Sequence, residues 1–306
     1  MNTPHQHGWA AREPVGRIAY VNGRYLPHSR AAVHIEDRGL QFADAIYEVV
    51  GVFDGVFLDE EEHLDRLERS VGEIGMPPPM GRAALKRITR EMARRNRVNT
   101  GLIYFQVTRG AVRRDHPVPD RPPRPTLIVT ARALDPAAIQ KRREQGIKVI
   151  TRPDERWGRC DIKSTALLPN ILAKTLARKE GAFEAWLVDR DGFVTEGAST
   201  SAWIVTAEGR VVTRDLSNAI LPGVTRRIIL KAAAEGQIPV EERAFTVDEA
   251  LKAKEAFITA ATLGATPVVA IDDHKVGEGA PGPLARRIQE LYVHAAQQAA
   301  GKQSTE

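Results

Sequence analysis

The stretch AIYEVVGVF, Ala45–Phe53, followed at once by Asp54 and Gly55, constrains the fold more than any other segment of the chain. Its alternation predicts a strand with Tyr47 and Val49 on one face and Glu48 on the other. The Asp-Gly pair predicts a tight turn into a return strand. A second hairpin is predicted upstream in GRIAYVNGRYLP (16–27), where Asn22 and Gly23 both tolerate the positive φ that a two-residue turn demands. The runs LIYFQVT (102–108) and PTLIVTARA (125–133) add two strands rich in β-branched and aromatic residues. Between them and the first hairpins, His63, Leu64, Leu67, Val71 and Ile74 recur at helical spacing ahead of Gly75. This predicts a helix over 61–74, and another follows over 82–95.

Composition changes at LDPAAI (134–139), so a domain junction is placed there, with 135–139 as the linker. Past it come a strand over 146–152 and a helix over 167–179 whose buried face is expected to carry Leu168, Ile171, Leu172 and Leu176. A series of antiparallel strands, a helix from Thr225, a strand rich in threonine and alanine, and a last amphipathic helix over 283–297 complete the chain. The expected division is a polar extension over 1–15, a small domain over 16–134, a large domain over 140–300 and a polar tail over 301–306. His5 and His7 are read as part of the mobile extension.

Some functions are excluded early. The 44 basic side chains give a net charge of only +5 and form no block, which argues against nucleic-acid binding. The lone cysteine, Cys160, rules out an intrachain disulfide and a Cys-rich metal site, and is read as a small packing residue in a protein of a reducing compartment. No apolar run approaches a membrane span and the first residues lack the order of a secretion signal, so a cytoplasmic location is expected.

Five features suggest chemistry, each with an ordinary structural counterpart. Lys163 lies among Ile162, Ala166, Leu167 and Leu168, where partial desolvation would make its amine a nucleophile; a lysine snorkelling from the mouth of a helix would look the same. Glu196, in Thr195-Glu196-Gly197 followed by Ala198, Ser199 and Thr200, is a carboxylate where small residues admit a flat ligand, or an edge-strand glutamate. Pro222-Gly223 before Val224 and Thr225 is either an anion site at a helix N-terminus or simply a helix start. Arg66, beside an apolar stripe, is either solvated or placed to grip a phosphate. In the long basic loop RGAVRRDHPVPDRPPRP, Arg114 and His116 stand two apart and could share one anion, with Tyr47 offering a hydroxyl from its strand. An amine, a carboxylate in a close-packed slot and phosphate-type anion sites together match the aldehyde, ring nitrogen and phosphate of pyridoxal 5'-phosphate.

Taken in order, YVNGRYLP, EDRGLQFADAIYEVV, EEHLDRL, IYFQVTRG, WGRCDIKS, TEGASTS, ILPGVTR and ITAATLGATPV resemble the D-amino-acid aminotransferases of the fold-type IV pyridoxal-phosphate family, over roughly residues 18–291. The resemblance implies a two-domain α+β fold, with a smaller N-terminal α/β domain, a larger barrel-like domain and the cofactor between them. It implies that Lys163 holds the cofactor and moves the proton at the substrate Cα, and that Glu196 pairs with the ring nitrogen. Arg66, the backbone of Gly223, Val224 and Thr225, and Thr262 would form the phosphate cup, with Leu221 against the ring. Tyr47, Arg114 and His116 would hold the substrate α-carboxylate, although Arg113 leaves the identity of that arginine open by one position. The implied substrates are D-amino acids and 2-oxo acids, exchanged in a ping-pong reaction by a homodimer whose small domains help close each other's sites; no metal ligand is implied. An aminodeoxychorismate lyase or an (R)-selective amine transaminase of the same fold would keep Lys163, Glu196 and Arg66 without needing Arg114 and His116. Ala198, Ala260 and Ala261 stand where the family often has hydroxyl residues, which predicts a thinner hydrogen-bond web.

Overall fold

The computed structural model describes residues 16–303, so the reading of the extension over 1–15, with His5 and His7, lies outside the described residues. The first sheet is built from β1 (Ile18–Val21), β2 (Arg24–Pro27), then, after the short helix α1 (Arg38–Phe42), β3 (Ala45–Phe53) and β4 (Val56–Phe57). After α2 (Glu60–Glu73) and α3 (Arg82–Asn96), β5 (Gly101–Thr108) and β6 (Thr126–Ala133) complete it. Its strand order is β2-β1-β6-β5-β3-β4, antiparallel throughout. Both predicted turns form: Asn22 and Gly23 take φ of 45° and 89°, Asp54 and Gly55 of 48° and 80°.

The alternation along β3 sorts this sheet into two faces. Ile46 and Val50, with Ile103, Phe105 and Val129 of the neighbouring strands, pack on Leu64, Leu67 and Val71 of α2 and Leu85, Ile88 and Met92 of α3. Glu48 points the same way into that core and is fully buried. Tyr47 and Val49 face the other way, toward the second half of the chain.

The chain next forms α4 (Pro136–Gln145), capped by the Asp135 side chain, so most of the segment expected as a linker is helical. Beyond it come β7 (Ile147–Pro153), α5 (Leu168–Lys179), β8 (Glu184–Val188), β9 (Val194–Gly197), β10 (Ser201–Val205) and β11 (Val211–Thr213). The chain continues through α6 (Val224–Glu235), β12 (Val240–Glu242), α7 (Val247–Leu251), β13 (Glu255–Ala260), β14 (Gly264–Ile271), β15 (His274–Lys275) and α8 (Pro283–Gln303). Eight of these strands run in the order β12-β11-β10-β13-β14-β7-β8-β9, with β15 paired to β14. Period-two alternation again sorts side chains between faces: Ile204 and Ile258 enter one core with Trp186 and Phe245, while Trp203 and Phe257 enter another beneath Ile229 of α6 and Ile288 and Tyr292 of α8.

One expectation fails in α5. The helix forms as predicted, but its inward face carries Ala173 and Ala177, and Leu168, Ile171, Leu172 and Leu176 are 65, 56, 53 and 41% exposed. Small residues let the helix sit close on β7 and β8, so the large apolar residues are turned outward.

One of the close approaches between the first sheet and the second half of the chain is at Gly51. A Cβ at Gly51 would lie 2.7 Å from the Ala261 carbonyl oxygen, so only glycine lets β3 approach the turn after β13 at that distance.

Candidate active site

A cavity of about 520 Å3 opens between the sheets. Among its lining residues are Tyr47, Arg66, Lys163, Glu196, Leu221, Gly223, Val224, Thr225 and Thr262. Nine of the eleven residues singled out from the sequence are therefore brought together here; Arg114 and His116 are not among them.

Lys163 is held by its backbone. Its carbonyl accepts the Tyr47 N–H at 2.9 Å, the Thr165 N–H donates to Ala45 at 3.0 Å, and Ser164 bridges Ile46, so the segment is pinned to the end of β3 instead of belonging to α5. The side chain is half-buried, with Nζ 4.3 Å from the centroid of the Tyr47 ring. Cys160, nearby on the cavity wall, donates its thiol to the Trp157 carbonyl at 3.1 Å, and burial pushes that thiol up to about 11, which suits a packing role.

Glu196 lies on β9 and is buried. It accepts hydrogen bonds from Arg156 Nη1 and, at 3.1 Å, from the Leu221 N–H. Burial pushes its carboxyl above the ordinary range, against the pull of Arg156, the Leu221 amide and Lys163. A carboxyl so placed shares a proton readily with a basic nitrogen. Arg156 is the residue that sequence reasoning missed. Its guanidinium also donates to Asp154 through Nε at 2.9 Å and Nη2 at 2.7 Å, and to the Ala219 carbonyl at 3.0 Å. The sequence signal was slight, since its partner Glu196 is 40 positions away.

At the other end, α6 starts from Gly223. The first backbone bond back to Gly223 comes from Arg227, which leaves the N–H groups of Val224 and Thr225 without a partner inside the helix. The buried Oγ1 atoms of Thr200 and Thr225 likewise make no hydrogen bond. A Cβ on Gly223 would meet Ser201 Oγ at 3.1 Å and Arg226 Cβ at 3.2 Å, a tight fit that favours bare backbone there. Arg66 reaches this turn from α2, donating through Nη1 to the Pro222 carbonyl at 3.2 Å. Behind it the guanidinium forks onto Glu48 (Nε to Oε2 2.9 Å, Nη2 to Oε1 2.7 Å), and His63 Nδ1 lies 2.9 Å from the same Oε1. Free helix N–H groups, orphaned hydroxyls and an arginine form a place for a phosphate monoester. With the amine of Lys163 and the carboxyl of Glu196 on the same cavity, the residues fit pyridoxal 5'-phosphate. Ala198, Ala260 and Ala261 also line the cavity and add no hydroxyl to it.

Arg114 and His116 sit on a different feature. The Arg114 guanidinium lies 4.9 Å from the Phe42 ring centroid and the His116 ring 5.5 Å from it, so the two do point toward one place, but both are exposed. Their loop is clamped by buried Arg38, which donates to the carbonyls of Asp115 at 2.7 Å and His116 at 3.0 Å and through Nε to Asp44 at 2.7 Å. Among the described residues no group of three or more histidines, cysteines or acids could hold a metal ion, and no helix is long and apolar enough to cross a membrane.

This geometry agrees with what the chain resembles. The family model for amino-transferase class IV matches residues 45–271. A D-alanine aminotransferase of Bacillus licheniformis is 41% identical over 88% of this chain and 93% of its own length. One of Listeria monocytogenes is 38% identical over 92% and 97%. Among solved structures, the branched-chain amino acid aminotransferase of Escherichia coli superposes with a TM-score of 0.81 at 25% identity, covering 92% of this chain and 95% of that one.

Proposed function

The chain belongs to the class IV aminotransferases, and on that premise we propose that it is a pyridoxal 5'-phosphate-dependent D-amino-acid aminotransferase, passing an amino group between a D-amino acid and a 2-oxo acid in two half-reactions. The observation that carries this reading is the convergence on one cavity of the Lys163 amine, the buried Glu196 carboxyl and the open start of α6 beside Arg66. The fold is shared with branched-chain enzymes, so the preference for D-amino acids rests on the sequence relatives.

When bound, the cofactor supplies an aldehyde for the amino group and a conjugated ring nitrogen that draws electron density from the reacting carbon. Lys163 Nζ would hold the reactive end and carry the proton of the substrate Cα. Glu196, oriented by Arg156 and the Leu221 amide, would share a proton with the ring nitrogen. Arg66, the N–H groups of Val224 and Thr225, Gly223 and Thr262 would hold the phosphate, with Leu221 on the side of the ring. Tyr47, Arg114 and His116 hold the substrate α-carboxylate and so choose which face of the substrate meets Lys163.

The last assignment requires a second copy of the chain, because the Arg114 and His116 loop lies off the cavity of its own protomer. Support for a homodimer comes from the outward stripe of Leu168, Ile171, Leu172 and Leu176. Burying each such side chain fully is worth about 1.5–3 kcal/mol. The joint between the two domains, placed at 16–134 and 140–300, and a cytoplasmic location belong to the same reading, the latter supported by the single buried cysteine. In light scattering the protein is expected at twice 33.7 kDa. The double change Ile171→Glu and Leu172→Glu is expected to halve that mass and to remove most turnover of D-amino acids. A native protein at the monomer mass would sink the dimer assignment.

The reaction is tested by adding D-alanine and 2-oxoglutarate to the purified protein. Pyruvate and D-glutamate are expected. Pyruvate from aminodeoxychorismate, or turnover of simple (R)-amines with none of D-alanine, would instead favour the lyase or the amine transaminase of this fold, which need no Arg114 and His116 pair.

A further inference from the structure

On the sequence, α8 is an amphipathic helix packed on the outside of the large domain. In the structure two of its residues, Gln289 and Tyr292, three apart and therefore on one face, reach inward to separate elements at the phosphate end of the cavity. Gln289 Oε1 accepts the Ala265 N–H at 2.6 Å, immediately after the turn that carries Thr262. The fit is tight: a Cβ at Gly264, whose φ is +62°, would lie 2.4 Å from that oxygen. The same turn is held from α4 by Arg143, which donates to the Leu263 carbonyl through Nε at 3.1 Å and Nη2 at 3.0 Å. Tyr292, 3% exposed, donates its phenol to Asp59 Oδ2 at 3.4 Å and lies beside the Thr225 hydroxyl.

Asp59 stands at the foot of α2. It takes a left-handed φ of 50°, and its carbonyl accepts the His63 N–H at 3.0 Å, one turn before Arg66. Arg66, Thr225 and Thr262 thus come from three elements in two halves of the molecule, and α8 touches the supports of all three. We propose that Gln289 and Tyr292 are positioning residues that hold these three groups in register for the cofactor phosphate; this rests on the cofactor reading of the cavity.

The test is an equilibrium titration of cofactor-depleted protein with pyridoxal 5'-phosphate and, separately, with pyridoxal, which lacks the phosphate. Tryptophan fluorescence reports binding of both. Tyr292→Phe, which removes one oxygen atom, and Gln289→Leu are each expected to weaken pyridoxal 5'-phosphate binding by about 3- to 10-fold, the worth of one hydrogen bond. Pyridoxal binding should stay within about two-fold, and Gln289→Glu, which keeps an acceptor, should recover part of the loss. Equal losses for both ligands would reduce α8 to a packing helix and overturn the proposal, as would unchanged affinity in both variants. If the unaltered protein binds pyridoxal 5'-phosphate no better than pyridoxal, the phosphate cup itself fails and the proposal falls with it. Should Gln289→Leu not fold, Tyr292→Phe alone decides.

Discussion

Lys163→Ala is expected to lower transamination by roughly 10²- to 10⁴-fold, the loss typical when a proton-transferring group is removed, and to abolish covalent retention of the cofactor through denaturation after borohydride reduction. The fold should survive, because what anchors residue 163 is backbone: its carbonyl bonds the Tyr47 N–H, and Ser164 bridges Ile46 whatever side chain stands between. The side chain itself is half-buried and its amine faces a ring and a carboxyl across the cavity, so truncation opens space at the cavity wall without breaching either core. A small primary amine added to the variant should restore part of the rate by supplying a proton carrier where Nζ was. Retained borohydride-stable attachment in Lys163→Ala would assign the covalent role to another amine, and the only other lysine on the cavity among the described residues, Lys174, is engaged by Glu184 at 2.8 Å. Lys163→Arg separates charge from chemistry, since it keeps the cation but is not expected to recover turnover.

Much of this site could be read from the chain because its key residues are announced locally. Asn22-Gly23 and Asp54-Gly55 fix their hairpins by turn chemistry alone, and period two along β3 correctly sends Tyr47 toward the cavity and Glu48 away from it. Pro222-Gly223 marks the open start of α6 for the same local reason. Where partners are remote in sequence the reading stops. Arg156 looks like any charged residue in a polar loop until β9 brings Glu196 beside it. Arg38 gives no sign that it clamps a loop almost 80 positions on. The stripe on α5 misleads because a period of 3.6 reveals that a helix has an apolar face but not what that face meets. The alternation also set Glu48 on the face of Ile46 and Val50, but that this face is the buried one, and that Arg66 meets the carboxylate there, needed the packing of α2 on the sheet.

That buried carboxylate yields the second large effect. Glu48→Gln is expected to cost about 3–5 kcal/mol of stability at neutral pH, because it leaves the Arg66 guanidinium inside the protein without its counter-charge. Glu48 is fully buried, and Oε1 alone is approached by the Val49 N–H, His63 Nδ1 and Arg66 Nη2 at 2.9, 2.9 and 2.7 Å. Burial by itself would raise its pKa, but the charges of Arg66 and His63 and their hydrogen bonds outweigh that and hold it far below the usual carboxylate range. The sign of the pH dependence follows. A carboxylate whose folded pKa lies below its unfolded value of about 4.3 stabilises fully above that value and loses the contribution as pH falls toward the folded one. Unfolding midpoints of the native protein and Glu48→Gln should therefore converge below about pH 4 and stay apart above it. Removing both partners is a different experiment. In Glu48→Leu with Arg66→Met the buried guanidinium leaves together with its counter-charge, so much of the lost stability is expected to return while affinity for pyridoxal 5'-phosphate remains low. If that double variant binds the cofactor normally, Arg66 is only one half of a structural pair; if Glu48→Gln matches the native protein in stability across the pH range, the pair contributes nothing to either.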